Sequence, residues 1–147
     1  LELNSMLDES LNLIRQYADH KNISLNYSMP DTITVKADRA MLQTVIRNLL
    51  SNAIKFTPQA GSISVTVNTI ASKATIQIAD TGNGINKADL PNVFDPFFTS
   101  KMSGPGMGLT IVHRIVTRHS GEVTIDSAPG EGTTVTVSLP KKQEKFI

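Results

Sequence analysis

Asn48, Asn52 and Lys55 recur at intervals of four and three residues inside a stretch with regular apolar periodicity. On a helix turning about 100° per residue, the three fall within an arc of roughly 60° on the side away from the apolar stripe. A carboxamide oxygen is a hard, neutral ligand of the kind Mg²⁺ accepts beside phosphates and waters. A lysine one turn on can meet a phosphate as a point charge. The same three residues also suit a solvated polar face, and in isolation that plainer reading leads.

A second cluster is Ile76-Gln77-Ile78-Ala79-Asp80-Thr81-Gly82-Asn83-Gly84-Ile85. An alternating strand ends in an aspartate, and two glycines follow, two residues apart. An ionised Asp80 is acceptor-only and can take hydrogen bonds from an exocyclic amine such as that of adenine. Gly82 and Gly84 would let the backbone approach a base where a β-carbon would clash. Asp-Thr-Gly is equally a common turn at a strand end. The third cluster, Ser103-Gly104-Pro105-Gly106-Met107-Gly108-Leu109, stands directly before an apolar-periodic stretch. Alternate glycines free backbone N–H groups to face phosphate oxygens, and a helix N-terminus adds positive potential. A flexible loop leading into a helix explains it about as well. Neither the Walker pattern nor the Rossmann glycine spacing is present.

Phe94-Asp95-Pro96-Phe97-Phe98-Thr99-Ser100-Lys101 can anchor a loop by its rings and offer Lys101 to a phosphate, or form a small satellite cluster under that loop. Gly130-Glu131-Gly132-Thr133-Thr134 reads on its own as a hairpin turn. The three histidines, His20, His113 and His119, lack metal-ligand spacing with one another or with acids.

These residues need positioning, and the periodicities say by what. Asn4 or Ser5 can cap a first helix carrying Leu7, Leu11, Ile14 and Ala18 on one face. Ile23, Leu25, Tyr27 and Met29 alternate as a strand, and so do Ile33 and Val35 beyond Pro30-Asp31. Asp38 caps a second helix with Leu42, Val45, Ile46, Leu49, Leu50, Ala53 and Ile54 as its core stripe, ended by Thr57-Pro58. Strands around Ile63–Val67 and Thr75–Ile78 follow. From Gly82 to about Gly108 the pattern fails; five of nine glycines and three of seven prolines gather there. A loop that long inside a compact domain is usually functional. A third helix carries Leu109, Val112, Ile115 and Val116 and stops at Ser120-Gly121. Val123 and Ile125, then Val135, Val137 and Leu139, form a closing hairpin. Three helices and about six strands imply a two-layer α/β (α+β) sandwich, with the helices on one face of a mixed, mostly antiparallel sheet.

With 147 residues, the chain fits one domain over 1–140 and a charged tail at 141–147 that frays. A net charge of +1 gives no electrostatic reason to expect nucleic acid or an anionic membrane. Without cysteine, disulfides and thiolate chemistry are excluded. No apolar run reaches the ~20 residues of a membrane span, so the expectation is a soluble, cytoplasmic domain that does not itself insert into a membrane, cut from something longer.

Taken in order, these pieces resemble the histidine-kinase branch of the GHKL ATPase superfamily, from Leu1 to Pro140. Arg47 to Pro58 resembles its N box, Asp80 to Gly84 its first glycine box, and Phe94 to Lys101 its phenylalanine box. Gly104 to Leu109 matches the second glycine box and Gly130 to Thr134 the last. The resemblance implies a Bergerat-type ATP-binding fold and roles at the matching positions. Asn52 would hold Mg²⁺ against the triphosphate of ATP, with Asn48 and Lys55 beside it. Phe56 would lie near the adenine, and Asp80 would bind its amine with the hydroxyl of Thr134. Residues 83–105 would form a lid bringing Lys101 to the phosphates, and Gly104, Gly106, Gly108 and Leu109 would line them. It also implies two partners, the dimerisation hairpin of a parent two-component sensor kinase and, indirectly, a response regulator.

One departure separates this chain from a complete kinase. The family's substrate histidine is followed by an acidic residue and soon by proline, whereas His20 precedes Lys-Asn, His113 precedes Arg-Ile and His119 precedes Ser-Gly. The phosphoacceptor is therefore expected on another segment. An ATP hydrolase or serine kinase of the same superfamily is the competing reading. Those branches place a glutamate as base one turn before the metal asparagine, where this chain has Asn48, and an amide takes no proton at neutral pH. A regulatory nucleotide-binding module without catalysis is the third reading.

Overall fold

The computed structural model describes residues 1–28, 33–94, 99–100, 104–105 and 109–141. Three helices, α1 (Leu3–His20), α2 (Arg39–Phe56) and α3 (Leu109–Arg118), cover one face of a five-stranded sheet. Its strands are β1 (Ser24–Ser28), β2 (Ser62–Ile70), β3 (Lys73–Asp80), β6 (Glu122–Ala128) and β7 (Gly132–Pro140), in the order β1-β2-β3-β7-β6. The β1–β2 pair is parallel and the other three are antiparallel. A separate two-stranded ribbon, β4 (Thr99–Ser100) with β5 (Gly104–Pro105), lies in the long connection before α3.

The apolar periodicities decide which faces are buried. Leu7, Leu11, Ile14 and Ala18 of α1 meet Leu42, Val45, Ile46, Leu49, Leu50 and Ala53 of α2 in one core. Ile63, Val65 and Val67 of β2, Ile76 and Ile78 of β3, and Val135, Val137 and Leu139 of β7 close it from below. Asp38 caps α2, its Oδ1 accepting from the Met41 N–H at 2.9 Å. The helix ends at Phe56 because Thr57, ahead of Pro58, turns extended.

Two expectations need correction. The helix α1 starts at Leu3 after Glu2, which makes no side-chain cap bond, so neither Asn4 nor Ser5 is its cap. Asn4 instead accepts from the Ile33 N–H through Oδ1 at 3.0 Å. The stretch at 33–35 forms only an isolated bridge between Thr34 and Glu2 and is not a sixth strand of the sheet. Its partner is the segment at 1–3: Leu3 N–H bonds Ile33 and Val35 N–H bonds Leu1, each at 2.9 Å. Glu2 then enters α1 and Asp38 enters α2, so this ladder cannot lengthen. Ile33 and Val35 are buried all the same. Met29 and most of the charged tail, 142–147, lie outside the described residues, while Lys141 N–H still bonds the Ser72 carbonyl at 2.9 Å.

Candidate functional site

Asp80 ends the central strand β3, registered against Ile63 of β2 and Thr133 of β7. Alternation along β3 buries Ile76 and Ile78 and leaves Asp80 half-buried at the sheet's end. One carboxylate oxygen, Oδ1, accepts from the Gly82 N–H at 2.8 Å, and the Thr133 N–H also bonds the carboxylate. Burial raises the Asp80 pKa above 3.8, opposed by those two backbone bonds, which favour the ionised form. A carboxylate so held is a fixed acceptor with lone pairs left for a donor from outside.

Three segments converge on this carboxylate, and two glycines allow it. A β-carbon on Gly82 would lie 2.5 Å from the Phe56 carbonyl oxygen and 2.8 Å from Asp80 Oδ1. The end of α2 is thus pressed directly onto the turn after β3. Gly132, at φ +82°, would place a β-carbon 2.0 Å from the Asp80 carbonyl oxygen, so the start of β7 needs glycine on both counts. On the other flank, Thr81 Oγ1 accepts from the Ser62 N–H at 2.9 Å and Thr81 N–H bonds the Ser62 carbonyl at 3.1 Å. The space expected beside Gly82 and Gly84 for a base is therefore filled, at those β-carbon positions, by the protein's own backbone at Phe56 and Ala128.

The polar strip of α2 leads away from that junction. Counting back from Phe56 at 1.5 Å per residue, Asn52 is about 6 Å and Asn48 about 12 Å up the helix axis. Asn48 and Asn52 are half-buried, and Lys55 is exposed with its Nζ 5.4 Å from the Phe56 ring centre. No cluster of three or more His, Cys, Asp or Glu able to hold a metal occurs among the described residues. A neutral amide at Asn52 fits a Mg²⁺ ion whose other oxygens come from phosphates and water.

Leu109, the first residue of α3, is buried in the core, and Gly104 lies in β5. Thr134 follows Thr133 on β7, registered with Ala79 on one side and Asp126 on the other. Lys101, Gly106 and Gly108, like Phe97 and Phe98, lie outside the described residues. Phe94 is described: it packs against the core, its ring centre 5.2 Å from that of His113, and its carbonyl accepts from Thr110 Oγ1 at 3.1 Å. It anchors the long connection to α3. His119 bonds inward, its Nε2 accepting from Asp38 N–H at 3.0 Å while Nδ1 meets the Ile115 carbonyl at 2.8 Å.

Residues 37–143 match the family described as histidine kinase-, DNA gyrase B- and HSP90-like ATPase. The chain belongs to this family. It is 38% identical over 141 residues to the sensor histidine kinase ZraS of Escherichia coli, covering 95% of this chain and 30% of that protein. It is 36% identical over 137 residues to the histidine protein kinase DivJ of Caulobacter vibrioides, covering 89% and 23%. It thus spans less than a third of the length of these curated relatives. Among solved structures, the nucleotide-free catalytic domain of histidine kinase ThkA superposes with a TM-score of 0.88 at 28% identity, covering 97% of this chain and 94% of that one. The three helices on a five-stranded mixed sheet are the architecture of a histidine kinase catalytic domain, and ATP is the substrate its family implies.

Sequence reasoning missed Ser127, and it set Gly132 and Thr133 within the last glycine box without giving either a role of its own. Ser127 Oγ accepts from the Ile85 N–H at 2.8 Å, a partner 42 residues away. No local pattern encodes such a contact. The positive φ that Gly132 needs is the one signal a closer reading of Gly130-Glu131-Gly132 carries.

Proposed function

We propose that this chain binds Mg·ATP and donates the γ-phosphoryl group to a histidine on the separate dimerisation hairpin of its parent sensor kinase, from which a response regulator is served. The observation that carries this reading is the junction where Gly82 meets the Phe56 carbonyl. It joins an amine-accepting carboxylate to the end of the helix bearing Asn52, Asn48 and Lys55. Asp80 would take the adenine amine; Thr134, expected to help, is registered with Ala79 and so leaves the opposite face of the sheet from Asp80. Gly82, Gly84 and Phe56 would shape the adenine end. The strip on α2 would run along the phosphates. Gly104, Gly106, Gly108, Leu109 and Lys101 would cover the phosphates from the lid side. When bound, Mg²⁺ supplies charge neutralisation on the phosphates, and Asn52 would hold it. We place the domain at residues 1–140 and in the cytoplasm; no described helix is long and apolar enough to cross a membrane.

The residue at position 48 separates transfer from hydrolysis. Attack by water needs a base, and the Asn48 amide is not one. A neutral imidazole nitrogen attacks with a lone pair it already has: the N–P bond forms, the bond from the γ-phosphorus to the β,γ-bridging oxygen breaks, and ADP leaves. Among relatives, ThkA has been seen complexed with the response regulator TrrA, which fits a phosphorelay. The test is labelled ATP given to the chain alone, to the chain with the parent's hairpin, and to Asn52→Ala with the hairpin. Label is expected on the hairpin in the second case only. Rapid phosphate release by the chain alone moves it to the hydrolytic branch.

A further inference from the structure

We infer that Ser127 is a positioning residue for nucleotide binding, its hydroxyl tying the root of the lid to the hairpin that holds Asp80. This inference rests on the ATP-binding reading above. Ser127, near the end of β6, has three partners. Its Oγ accepts from the Ile85 N–H at 2.8 Å, donates to the Gly132 carbonyl at 2.9 Å, and lies 2.9 Å from Thr133 Oγ1. A hydroxyl has one proton and two lone pairs. With the proton on Gly132 and one lone pair on Ile85, the second lone pair accepts from the Thr133 hydroxyl, and Ser127 is saturated.

The partners matter because of what they touch in turn. The N–H of Thr133 bonds the Asp80 carboxylate, and Gly132 is packed on the Asp80 carbonyl. Ile85 lies at the start of the segment read as the lid, residues 83–105. One side chain therefore connects that segment to the carboxylate read as the adenine acceptor. Two further contacts fasten the same root: the Gly130 N–H bonds the Asn83 carbonyl at 2.7 Å, and a β-carbon on Gly84 would lie 1.9 Å from the Ala128 carbonyl oxygen. Gly82 and Gly84 are thus packed against Phe56 on one flank and Ala128 on the other.

The test compares Ser127→Ala with Val123→Ala, which weakens the half-buried packing of the same strand without touching the hydroxyl. Amide exchange is followed without nucleotide, and ATP affinity is measured by calorimetry well below each melting point. In Ser127→Ala the Ile85 amide is expected to exchange at least about tenfold faster while β6–β7 ladder amides keep their rates, and ATP binding to weaken about tenfold. In Val123→Ala the melting point falls and ATP affinity stays within about twofold. Ser127→Ala binding ATP as tightly as the parent chain, or an unchanged Ile85 exchange rate, overturns the inference. If the unmutated chain binds no ATP, the functional reading fails instead, and Ile85 exchange still decides whether the clamp exists.

Discussion

Asp80→Asn separates what this carboxylate costs the fold from what it gives the site. Asparagine keeps an oxygen able to accept from the Gly82 N–H and replaces the other oxygen with an NH₂. For stability, the sign follows from the raised pKa, whose largest cause is burial. A group whose folded pKa lies above its unfolded value contributes stability that is complete below the unfolded pKa and is lost as pH rises through the folded one. At neutral pH the ionised Asp80 is therefore a net cost, since burial outweighs the bonds from Gly82 and Thr133. Asp80→Asn is expected to melt at or above the temperature of the parent chain at pH 7.5. The parent chain should close that gap as the pH falls through the raised Asp80 pKa toward 3.8. For binding, the sign reverses: an NH₂ donor now faces the adenine amine. A mismatched donor pair costs about 1–3 kcal/mol, or roughly 5- to 150-fold in affinity at 1.4 kcal/mol per tenfold. Calorimetric titration with Mg·ATP and melting curves at both pH values read the two effects separately. Unchanged affinity in a folded variant refutes Asp80 as the amine acceptor, and a clear loss of stability at pH 7.5 refutes the burial argument.

Gly82→Ala should be destabilising, because its β-carbon would meet Asp80 Oδ1 and, closer still, the backbone of Phe56, which cannot yield as a side-chain end can. We expect about 1–3 kcal/mol of lost stability, read by denaturant unfolding, with ATP binding weakened as the end of α2 retreats; an unaltered midpoint would show that the contact is looser than drawn. Thr57→Val should raise stability by about 1 kcal/mol or more. The Thr57 hydroxyl is buried without a hydrogen-bond partner among the described residues, and valine keeps its shape. A lower melting point for Thr57→Val would mean that the hydroxyl is satisfied, for instance by a buried water.

The helices were legible because a 3.6-residue apolar period leaves little choice of face. Of the expected stripe, Leu42, Val45, Ile46, Leu49, Leu50 and Ala53 are buried and Ile54 is half-buried. The strand expected at 33–35 failed for a reason no local pattern holds. Alternation buries Ile33 and Val35 correctly, yet the partner is the segment at 1–3 and not the sheet. Chain reversals at Asn22, Ala60 and Ala71 were equally hidden, since each is a non-glycine residue at positive φ imposed by its surroundings. At the site, the placement of Asp80 at a strand end and of Asn48, Asn52 and Lys55 on one helix could be read from residue type and spacing. The packing demand on the glycines could not. Gly82 reads in the sequence as room for a ligand, whereas in the fold the room at its β-carbon is taken by Phe56.

That difference changes where the specificity of the site resides. Asn48, Asn52, Phe56, Asp80 and Gly82 are all in place by the turn after β3, yet none of them fixes the Asp80 carboxylate from the β7 side. Thr133 donates to it, Gly132 packs on its backbone, and β7 pairs with β3 through Asp80 itself. Without β7, β3 would be an edge strand with its last carboxylate held only by the turn at Gly82. The residues that name the chemistry precede the last hairpin, but that hairpin sets their geometry. A substitution at Ser127, Gly132 or Thr133 should therefore act on nucleotide affinity as much as one in the glycine turn.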